Sequence, residues 1–447
     1  MQLDDDLCFR ATRSRDPRFD GRFFTAVTTT RIYCRPICPA KVARREHLRF
    51  FAYAAAAERA GFRPCLRCRP EVAPWTPAWN GTSATVTRAL RLIGEGALDD
   101  GDVDALAARL GVTSRQVRRL FDEHVGAPPV AVAQARRVHF ARTLLVETTL
   151  PISDVAFAAG FASLRRFNAA MRNAYHMPPR AMRRGRASDD AITLRLPYRA
   201  PYDWNGMLEF LGRRAIPGVE CVGGGEFRRT IALGGAAGVL RVRDDGGALA
   251  VSVPRAFTRQ LKTVVDRVRR MFDLFADPQA IASHLERDDV IRPLIQRWPG
   301  TRVPGAWDPF ELAVRAVVGQ QVSVAGATTI IGRIAAKYGT QIDGGLVFPE
   351  AARLANARIG GMPRARAATI RAVARANGAI DHDIRGIGPW TRSYIAMRSG
   401  DPDAFPHGDL ALRKAAGRCT DGELLRRAEA WRPWRAYAAL LLWRSLN

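Results

Sequence analysis

Hydrophobic residues recur with different periods in successive parts of the chain. Between about 82 and 184 they return every three or four residues, which predicts helices throughout. Between 191 and about 257 they alternate with polar residues and are separated by glycine clusters, which predicts strands and tight turns. The alternating stretches are Ile192-Leu194-Leu196, Thr230-Ala232, Val239-Val242 and Leu249-Val251-Val253. Helical periodicity returns from about 259, so we expect a mainly α multidomain protein with one small α+β domain that contains an antiparallel sheet.

The chain of 447 residues is too long for one hydrophobic core, and its composition changes at recognisable joints. A proline-rich joint spans Pro74–Pro77, and a basic linker of small residues spans Arg183–Ser188. We therefore predict four domains, at 1–76, 82–184, 191–257 and 259–447.

The formal net charge of +26 and a pI near 11.1 indicate a polyanionic partner, for which nucleic acid is the leading candidate. A cationic solubility surface or a membrane-surface protein is the alternative. The acidic N-terminus lacks the order of a signal peptide, and no apolar run reaches the length of a membrane span. We expect a cytoplasmic protein that does not enter a membrane, in which regularly spaced cysteines favour metal binding or catalysis over disulfides.

Four cysteines near the N-terminus have the spacing of a metal site. Cys34 and Cys38 form C-x3-C, and Cys65 and Cys68 form C-x2-C. Two such pairs can close a tetrahedral zinc site, in which four thiolates leave a net double negative charge. The spacing alone leaves open a purely structural zinc site and a site that activates one thiolate as a nucleophile.

The residues around these cysteines resemble the N-terminal zinc domain of the Ada family. The matching stretches are Ile32-Tyr33-Cys34-Arg35-Pro36-Ile37-Cys38-Pro39-Ala40 and Gly61-Phe62-Arg63-Pro64-Cys65-Leu66-Arg67-Cys68-Arg69-Pro70. The resemblance implies that Cys34 accepts a methyl group from a methyl phosphotriester in DNA, with Cys38, Cys65 and Cys68 as the other Zn²⁺ ligands. Ile37 stands where the family usually has serine, and this departure removes no ligand. Methylation cancels one thiolate charge, so we expect it to weaken the repulsion of phosphates and raise DNA affinity.

Two helix-turn-helix patterns follow in tandem. In the first, an apolar helix face ends at Gly111, and Thr113 or Ser114 begins a second helix; in the second, Gly160 supplies the turn. The residues predicted to contact DNA from the second helix of each pattern are Arg115, Gln116, Arg118, Arg119, Arg165 and Arg166. With Asp154-Val155-Ala156, Gly160-Phe161 and Pro178-Pro179, the pair resembles the AraC-type DNA-binding domain that follows the zinc domain in Ada proteins. The alternative is a structural helical linker.

A glycine-rich hairpin and a later aspartate are the informative features of the C-terminal half. Gly386 and Gly388 permit a tight turn whose backbone N–H groups can face a phosphate, and Pro389 is suited to begin the next helix. Asp409 precedes a helical run and, taken alone, is most simply a helix N-cap.

Together these features are similar to the helix-hairpin-helix DNA glycosylases, and residues 191 to 447 resemble the AlkA-type 3-methyladenine glycosylases. Tyr202-Asp203-Trp204 and Trp431-Arg432-Pro433-Trp434-Arg435 add to the match. The resemblance implies that a base is flipped out of double-stranded DNA and its glycosidic bond is cleaved with the help of Asp409. It also implies a base pocket formed by Trp390, Tyr394 and Trp443, with Phe210 as a further candidate. Ordinary core packing is the alternative for each of these aromatic residues.

Departures from related families refine this interpretation. Gln321 takes the place of the leucine wedge of AlkA, which leaves the preferred lesion open. Trp390 takes the place of the Schiff-base lysine of lyase-type relatives, so a monofunctional glycosylase is expected. Only Cys419 lies in the region where iron–sulfur relatives carry four cysteines, so no such cluster is expected. The Pro-Cys-His-Arg motif of the Ada methyltransferase is absent from the sequence.

Three functions are compatible with these features. The first is a bacterial, nucleoid-associated, monomeric repair enzyme of the DNA-3-methyladenine glycosylase II type, fused to its own damage sensor and regulator, which binds alkylated sites and a promoter operator. The second is a methylation-activated transcription regulator whose glycosylase half only binds DNA. The third is a zinc-dependent nucleic-acid scaffold without chemistry. Asp409 and the aromatic residues favour the first, because a binding module has no need of them.

Overall fold

A computed structural model describes residues 4–68, 70, 84–94, 96–99, 101–183, 191–380 and 384–446. The chain divides into two compact units: the first contains residues 1–198 and 255–266, and the second contains residues 199–254 and 267–447. The predicted joint at 74–77 and nearly all of the linker at 183–188 lie outside the described residues.

The first unit begins with a small mixed domain that contains the four clustered cysteines. Its elements are α1 (Asp5–Ser14), β1 (Phe24–Val27), β2 (Ile32–Cys34), β3 (Leu48–Phe51), α2 (Ala54–Arg59) and β4 (Arg63–Pro64). The strands form a sheet in the order β3-β1-β2-β4, in which β4 runs parallel to β2. Tyr33 pairs with Pro64, so Cys34 and Cys65, the next residue in each strand direction, come side by side. The sheet therefore brings the two cysteine pairs together.

The rest of the described first unit is almost entirely helical. Its elements are α3 (Ala84–Gly94), α4 (Val103–Leu110), α5 (Ser114–His124), α6 (Pro129–Glu147), α7 (Ile152–Ala158), α8 (Leu164–Tyr175), α9 (Pro179–Met182) and β5 (Ala191–Pro197). Both predicted helix-turn-helix patterns are confirmed as helix pairs, α4 with α5 and α7 with α8. Gly111 and Gly160 have positive φ at the turns, where an L side chain would be strained. Thr113 and Ser163 cap the second helix of each pair.

The second unit begins with a helix and an antiparallel sheet. Its first elements are α10 (Trp204–Gly212), β6 (Glu220–Gly223), β7 (Glu226–Leu233), β8 (Ala236–Asp244) and β9 (Ala248–Pro254). Strands β6, β7, β8 and β9 pair in chain order through short turns. The predicted strands are confirmed, including β5, in which buried and exposed residues alternate.

The remaining elements are chiefly helices. They are α11 (Leu261–Met271), α12 (Pro278–Leu285), α13 (Arg292–Arg297), α14 (Pro309–Val318), α15 (Val324–Tyr338), β10 (Thr340–Ile342), β11 (Gly345–Val347), α16 (Ala351–Leu354), α17 (Arg364–Arg375), α18 (Pro389–Arg398), α19 (Leu410–Ala415), α20 (Asp421–Ala428) and α21 (Arg435–Arg444). Helix α14 is almost completely buried, and its apolar residues share one core with those of α15, α17 and α18. This core supports both the glycine hairpin that joins α17 to α18 and the loop after α14.

The expectation of a single small sheet at 191–257 is corrected by the cysteine-domain sheet and the β10–β11 hairpin. These strands are two to four residues long, so they are too short to display an alternating pattern. Helix α10 was also not predicted within the strand-rich region. None of the helices in the described part of the chain combines the length and apolar character needed to cross a bilayer.

Candidate functional sites

The Asp409 carboxylate accepts four hydrogen bonds. Two come from backbone N–H groups of α19, those of Ala411 at 2.9 Å and Leu412 at 3.0 Å, so Asp409 is the N-cap of this helix. The other two come from indole N–H groups: Trp443 donates to Oδ1 and Trp390 donates to Oδ2, each at 3.1 Å. The cap and the indoles together fix the orientation of a half-buried carboxylate and stabilise its negative charge.

The structure brings the predicted aromatic residues together around this carboxylate. The rings of Trp390 and Tyr394 are stacked, with centroids 5.3 Å apart and planes 6° from parallel. Trp443 is tilted by 60° to Tyr394, with centroids 6.2 Å apart. All three are half-buried, whereas Trp431 is completely buried in a core. Their exposure differs from that of ordinary core aromatics.

Phe210 belongs to the same neighbourhood, together with two arginines that the sequence analysis missed. The guanidinium of Arg214 lies 3.9 Å from the Phe210 ring centroid, and that of Arg398 lies 4.9 Å from it. Arg398 also donates to the Tyr394 hydroxyl at 2.9 Å. Burial alone would raise the pKa of Tyr394, but Arg398 and Arg214 lower it overall. Each arginine follows its aromatic partner by four residues, a helical spacing that could have identified them.

A cavity of about 170 Å³ lies beside this aromatic cluster. Phe210, Trp443 and Arg214 line it, whereas Asp409, Trp390 and Tyr394 do not. A planar base held between two rings needs parallel faces about 7 Å apart, twice an ordinary carbon–carbon contact. The tilt between Tyr394 and Trp443 shows that these two rings do not form such a slot in this structure.

The glycine hairpin has the geometry that its sequence predicts. Gly386 has φ +95°, and a Cβ there would lie 2.3 Å from Thr369 Oγ1, so only glycine fits. Gly388 has an ordinary φ and open space around it, and Pro389 begins α18. Gln321 lies in the exposed loop after α14 with φ +58°, an unusual conformation for a residue with a side chain.

The four N-terminal cysteines form a compact group whose sulfur atoms all lie within 4.8 Å of one another. A tetrahedral site with Zn–S bonds of about 2.3 Å needs sulfur–sulfur distances of about 3.8 Å, so the donor set fits Zn²⁺. Cys34 is half-buried, whereas Cys38, Cys65 and Cys68 are buried, which leaves Cys34 the most accessible of the four. The backbone N–H of Arg35 donates to Cys68 Sγ at 3.3 Å, and the Arg35 side chain pairs with Asp20.

The strand that ends at Cys34 is bonded to the helix-turn-helix part of the first unit. The Tyr33 hydroxyl lies 2.8 Å from Glu58 Oε1 and 3.1 Å from His139 Nε2 on α6. His139 Nε2 is also 3.0 Å from Glu58 Oε1; the contact between Tyr33 and His139 is buried, and the two contacts to Glu58 are partly buried. Ala55 of α2 shares a core with residues of α3, α4 and α5. Zinc domain and helical domain are thus joined by packing as well as by hydrogen bonds.

Both second helices of the helix-turn-helix pairs present basic residues to solvent. The six predicted DNA-contacting residues, Arg115, Gln116, Arg118, Arg119, Arg165 and Arg166, are all exposed. Val117 and Phe121 anchor α5, and Phe167 anchors α8. Leu164 begins α8 and is 40% exposed, so it does not pack beneath Arg165 and Arg166.

Three family models match successive parts of the chain. The chain matches the metal binding domain of Ada at residues 7–71, a helix-turn-helix domain at 106–185 and the AlkA N-terminal domain at 193–308.

Whole-chain comparison identifies the family. A protein of Mycobacterium tuberculosis (strain H37Rv) named "Probable bifunctional transcriptional activator/DNA repair enzyme AlkA" is 41% identical to this chain, covering 100% of the chain and 97% of the relative. The chain belongs to this family of bifunctional AlkA proteins. In keeping with that membership, 56% of the chain is 33% identical to DNA-3-methyladenine glycosylase 2 of Escherichia coli (strain K12), and the match covers 95% of that relative. Over 32% of its length the chain is 39% identical to the bifunctional activator and repair enzyme Ada of the same organism, and this match covers 40% of that relative.

The predicted combination of families in this chain is therefore confirmed. The chain is a fusion of an Ada-type zinc domain and a helix-turn-helix regulator with a region homologous to 3-methyladenine DNA glycosylases. The four-cysteine cluster of an Ada metal-binding domain is its Zn²⁺ site.

Proposed function

We propose that the region from 191 to 447 is a monofunctional DNA glycosylase that excises N-alkylated purines of the 3-methyladenine type from double-stranded DNA. The arrangement of Asp409 carries this proposal: a carboxylate held by two indole N–H groups at the centre of an aromatic cluster. The relative named DNA-3-methyladenine glycosylase 2 matches 56% of the chain, and the AlkA N-terminal domain matches residues 193–308 of this region. We divide the region into an α+β domain at 191–257 and a helix-hairpin-helix domain at 259–447.

In the mechanism, the extruded base stacks on aromatic rings while Asp409 faces its sugar. An alkylated purine carries positive charge, so the electron-rich rings of Trp390, Tyr394 and Trp443 stabilise it, with Phe210 at the edge of the pocket. A base that stacks on Tyr394 must displace Trp443 from its tilt, which removes one of the three hydrogen bonds that Asp409 Oδ1 accepts and leaves the two capping bonds in place. The carboxylate then stabilises the oxocarbenium-like sugar and helps to activate water as the N-glycosidic bond breaks.

Two loops would hold the DNA during this reaction. The backbone N–H groups of Gly386 and Gly388 lie in an exposed hairpin, where they can bind a phosphate without reading sequence. Gln321 would fill the gap left by the flipped base and can hydrogen-bond the orphaned partner base. Trp390 in place of a lysine means that no Schiff base forms there, and we expect no iron–sulfur cluster.

For the zinc domain, at 1–76, we propose stoichiometric methyl transfer to Cys34. Bound Zn²⁺ would keep the four sulfurs as thiolates at neutral pH. The Cys34 sulfur attacks the methyl carbon of a methyl phosphotriester, a carbon–sulfur bond forms, the carbon–oxygen bond breaks, and an ordinary phosphodiester leaves. Cys34 is the least buried residue of the four, which favours it as the one that meets a DNA backbone.

We propose that the helical domain, at 82–184, reads a promoter operator through its two exposed basic helices. Methylation of Cys34 removes one negative charge beside the DNA backbone, so the methylated protein should bind DNA more tightly. Binding of methylated and unmethylated protein over a range of salt concentrations tests this idea, and equal affinities would refute it. We propose a monomeric, cytoplasmic and nucleoid-associated protein.

The decisive experiment measures base release from a panel of alkylated and deaminated duplexes by wild type and Asp409→Asn. Asparagine caps helices about as well as aspartate, so the variant should fold while excision falls by orders of magnitude. Asp308→Asn is the matched control, since Asp308 caps α14 by accepting from residues two and three positions later in the same way. It should excise at close to the wild-type rate. If the wild-type protein binds these duplexes but releases no base, the result would instead support a regulator whose C-terminal half only binds DNA.

A further inference from the structure

The loop that carries Gln321 is attached to the glycine hairpin by the neighbouring residue, Gln320. Its carboxamide Nε2 donates to the Gly386 carbonyl oxygen and to Thr391 Oγ1, both at 2.9 Å. A carboxamide has two N–H groups, so this pair of bonds uses its whole donor capacity. Gln320 is half-buried and Thr391 is 3% exposed, so water competes little for the Thr391 contact.

The hairpin is held through two of its own successive carbonyl groups, which accept hydrogen bonds from two different elements. Thr369 of α17 donates to the Arg385 carbonyl oxygen at 2.8 Å, and Gln320 holds the next carbonyl, that of Gly386. Among the residues that the structure describes, none accepts a hydrogen bond from the N–H of Gly386 or Gly388. Within the described part of the chain, the carbonyls are therefore engaged inside the protein, while both amides point to no internal acceptor and can bind an external anion.

Gln320 thus connects three parts of the candidate glycosylase site. It precedes Gln321, it bonds the hairpin, and through Thr391 it bonds the first turn of α18, next to Trp390. The backbone at Gln321 has positive φ, and a strained conformation of this kind persists only where its surroundings enforce it. The two bonds made by Gln320 hold the loop on the N-terminal side of Gln321. On the C-terminal side the loop is held by Ser323, which caps α15.

We propose that Gln320 is a positioning residue for base extrusion. Its carboxamide keeps a fixed separation between the residue that fills the vacated base stack and the amides that hold the phosphate. This inference rests on the proposed glycosylase function. In this role Gln320 acts through Gln321 and the hairpin, to which its side chain is bonded, and not by contact with the base or its sugar.

The test uses the full-length protein and a duplex in which one N7-methylguanine is flanked by 2-aminopurine, whose fluorescence rises when the neighbouring base leaves the stack. Gln320→Leu removes both donors at similar volume. We expect its extrusion step and its single-turnover excision rate to fall about tenfold, the factor that two neutral hydrogen bonds can supply. Affinity for undamaged duplex and the melting temperature should stay close to wild type. Gln341→Leu is the control, because Gln341 is an exposed glutamine whose side chain donates to the carbonyl oxygen of its own neighbour, Ile342.

A second pair of variants keeps the inference testable if Gln320→Leu fails to fold. Thr391→Val removes the hydroxyl and should slow extrusion, whereas Thr391→Ser retains it and should behave as wild type. In the Gln320→Leu background, Thr391→Val should add little, because the bond is already gone.

Normal extrusion by Gln320→Leu would overturn the inference. It would also be overturned if affinity and stability fell in proportion to extrusion, since Gln320 would then be an ordinary structural residue. Failure of wild type itself to extrude or release any base would refute the proposed glycosylase function, which is a separate outcome.

Discussion

Glu311 provides a strong test of how the second unit is held together. On the buried helix α14, it is part of a closed ring of two carboxylates and two guanidiniums. Arg229 bonds Glu220 at 3.0 Å and Glu311 at 2.8 Å, and Arg315 bonds the same two carboxylates at 2.6 and 2.7 Å. The ring ties α14 to the sheet at β6 and β7, directly before the loop that carries Gln320 and Gln321.

Replacing Glu311 by glutamine should destabilise the second unit by about 3–5 kcal/mol, the usual result of removing one partner from a buried ion pair. The side chains of Glu311 and Glu220 are only 3% and 5% exposed, so water cannot take over the lost contacts. At about 2–4 °C per kcal/mol for a unit of this size, the melting temperature should fall by roughly 6–20 °C.

Glu226→Gln is the matched control, since Glu226 also bridges two arginines, Arg228 at 3.1 Å and Arg241 at 3.3 Å. It is 23% exposed and both arginines are more than 40% exposed, so its loss should cost about 1 kcal/mol or less. Urea unfolding followed by tryptophan fluorescence, with calorimetry, measures both variants. Equal costs for the two substitutions would refute the argument that burial gives the ring its strength.

The same ring predicts a dependence on pH. Burial alone would raise the pKa of Glu311, but Arg229 and Arg315 lower it from 4.5 to about 2. Because its folded pKa lies below its unfolded value, Glu311 stabilises the fold above about pH 4.5, and this contribution is lost as the pH falls toward 2. The stability difference between wild type and Glu311→Gln should therefore shrink over that range. A difference independent of pH would contradict the assignment of charge to Glu311.

Two further predictions concern the reactive centres. Trp390→Phe removes one hydrogen bond to the Asp409 carboxylate, and such a bond to a charged acceptor is worth about 1.5–3 kcal/mol. Single-turnover excision should therefore fall by roughly 10- to 100-fold, with little loss of duplex binding. An unchanged excision rate would show that the indole only packs. Removal of Zn²⁺ with a strong chelator should abolish transfer of labelled methyl groups to Cys34. The rate of base excision should stay within about twofold of that of the untreated protein, because the two reactions use separate sites. Parallel loss of both activities would count against that separation.

Features with a local signature in the chain could be predicted from it. Gly111 and Thr113 mark the first helix-turn-helix by turn and cap chemistry, and the cysteine spacing marks the metal site. Contacts between distant residues could not be predicted by periodicity. Trp390 and Trp443 lie 19 residues before and 34 residues after Asp409, and Gln320 lies 66 residues before Gly386. Only the packing of α14, α18 and α21 brings such residues together.

Asp409 shows why a structural role and a chemical role need not exclude each other. Capping α19 accounts for two of its four hydrogen bonds, and a cap requires nothing more. The other two donors are indoles from different helices, which helix capping does not explain. A cap fixes the χ1 angle and backbone of its residue, so it supplies the rigid placement that a carboxylate needs if it is to meet a developing positive charge without reorganising. The N-cap of α19 is therefore better understood as the support that prepares Asp409 for its proposed chemistry than as a competing explanation of why an aspartate is there.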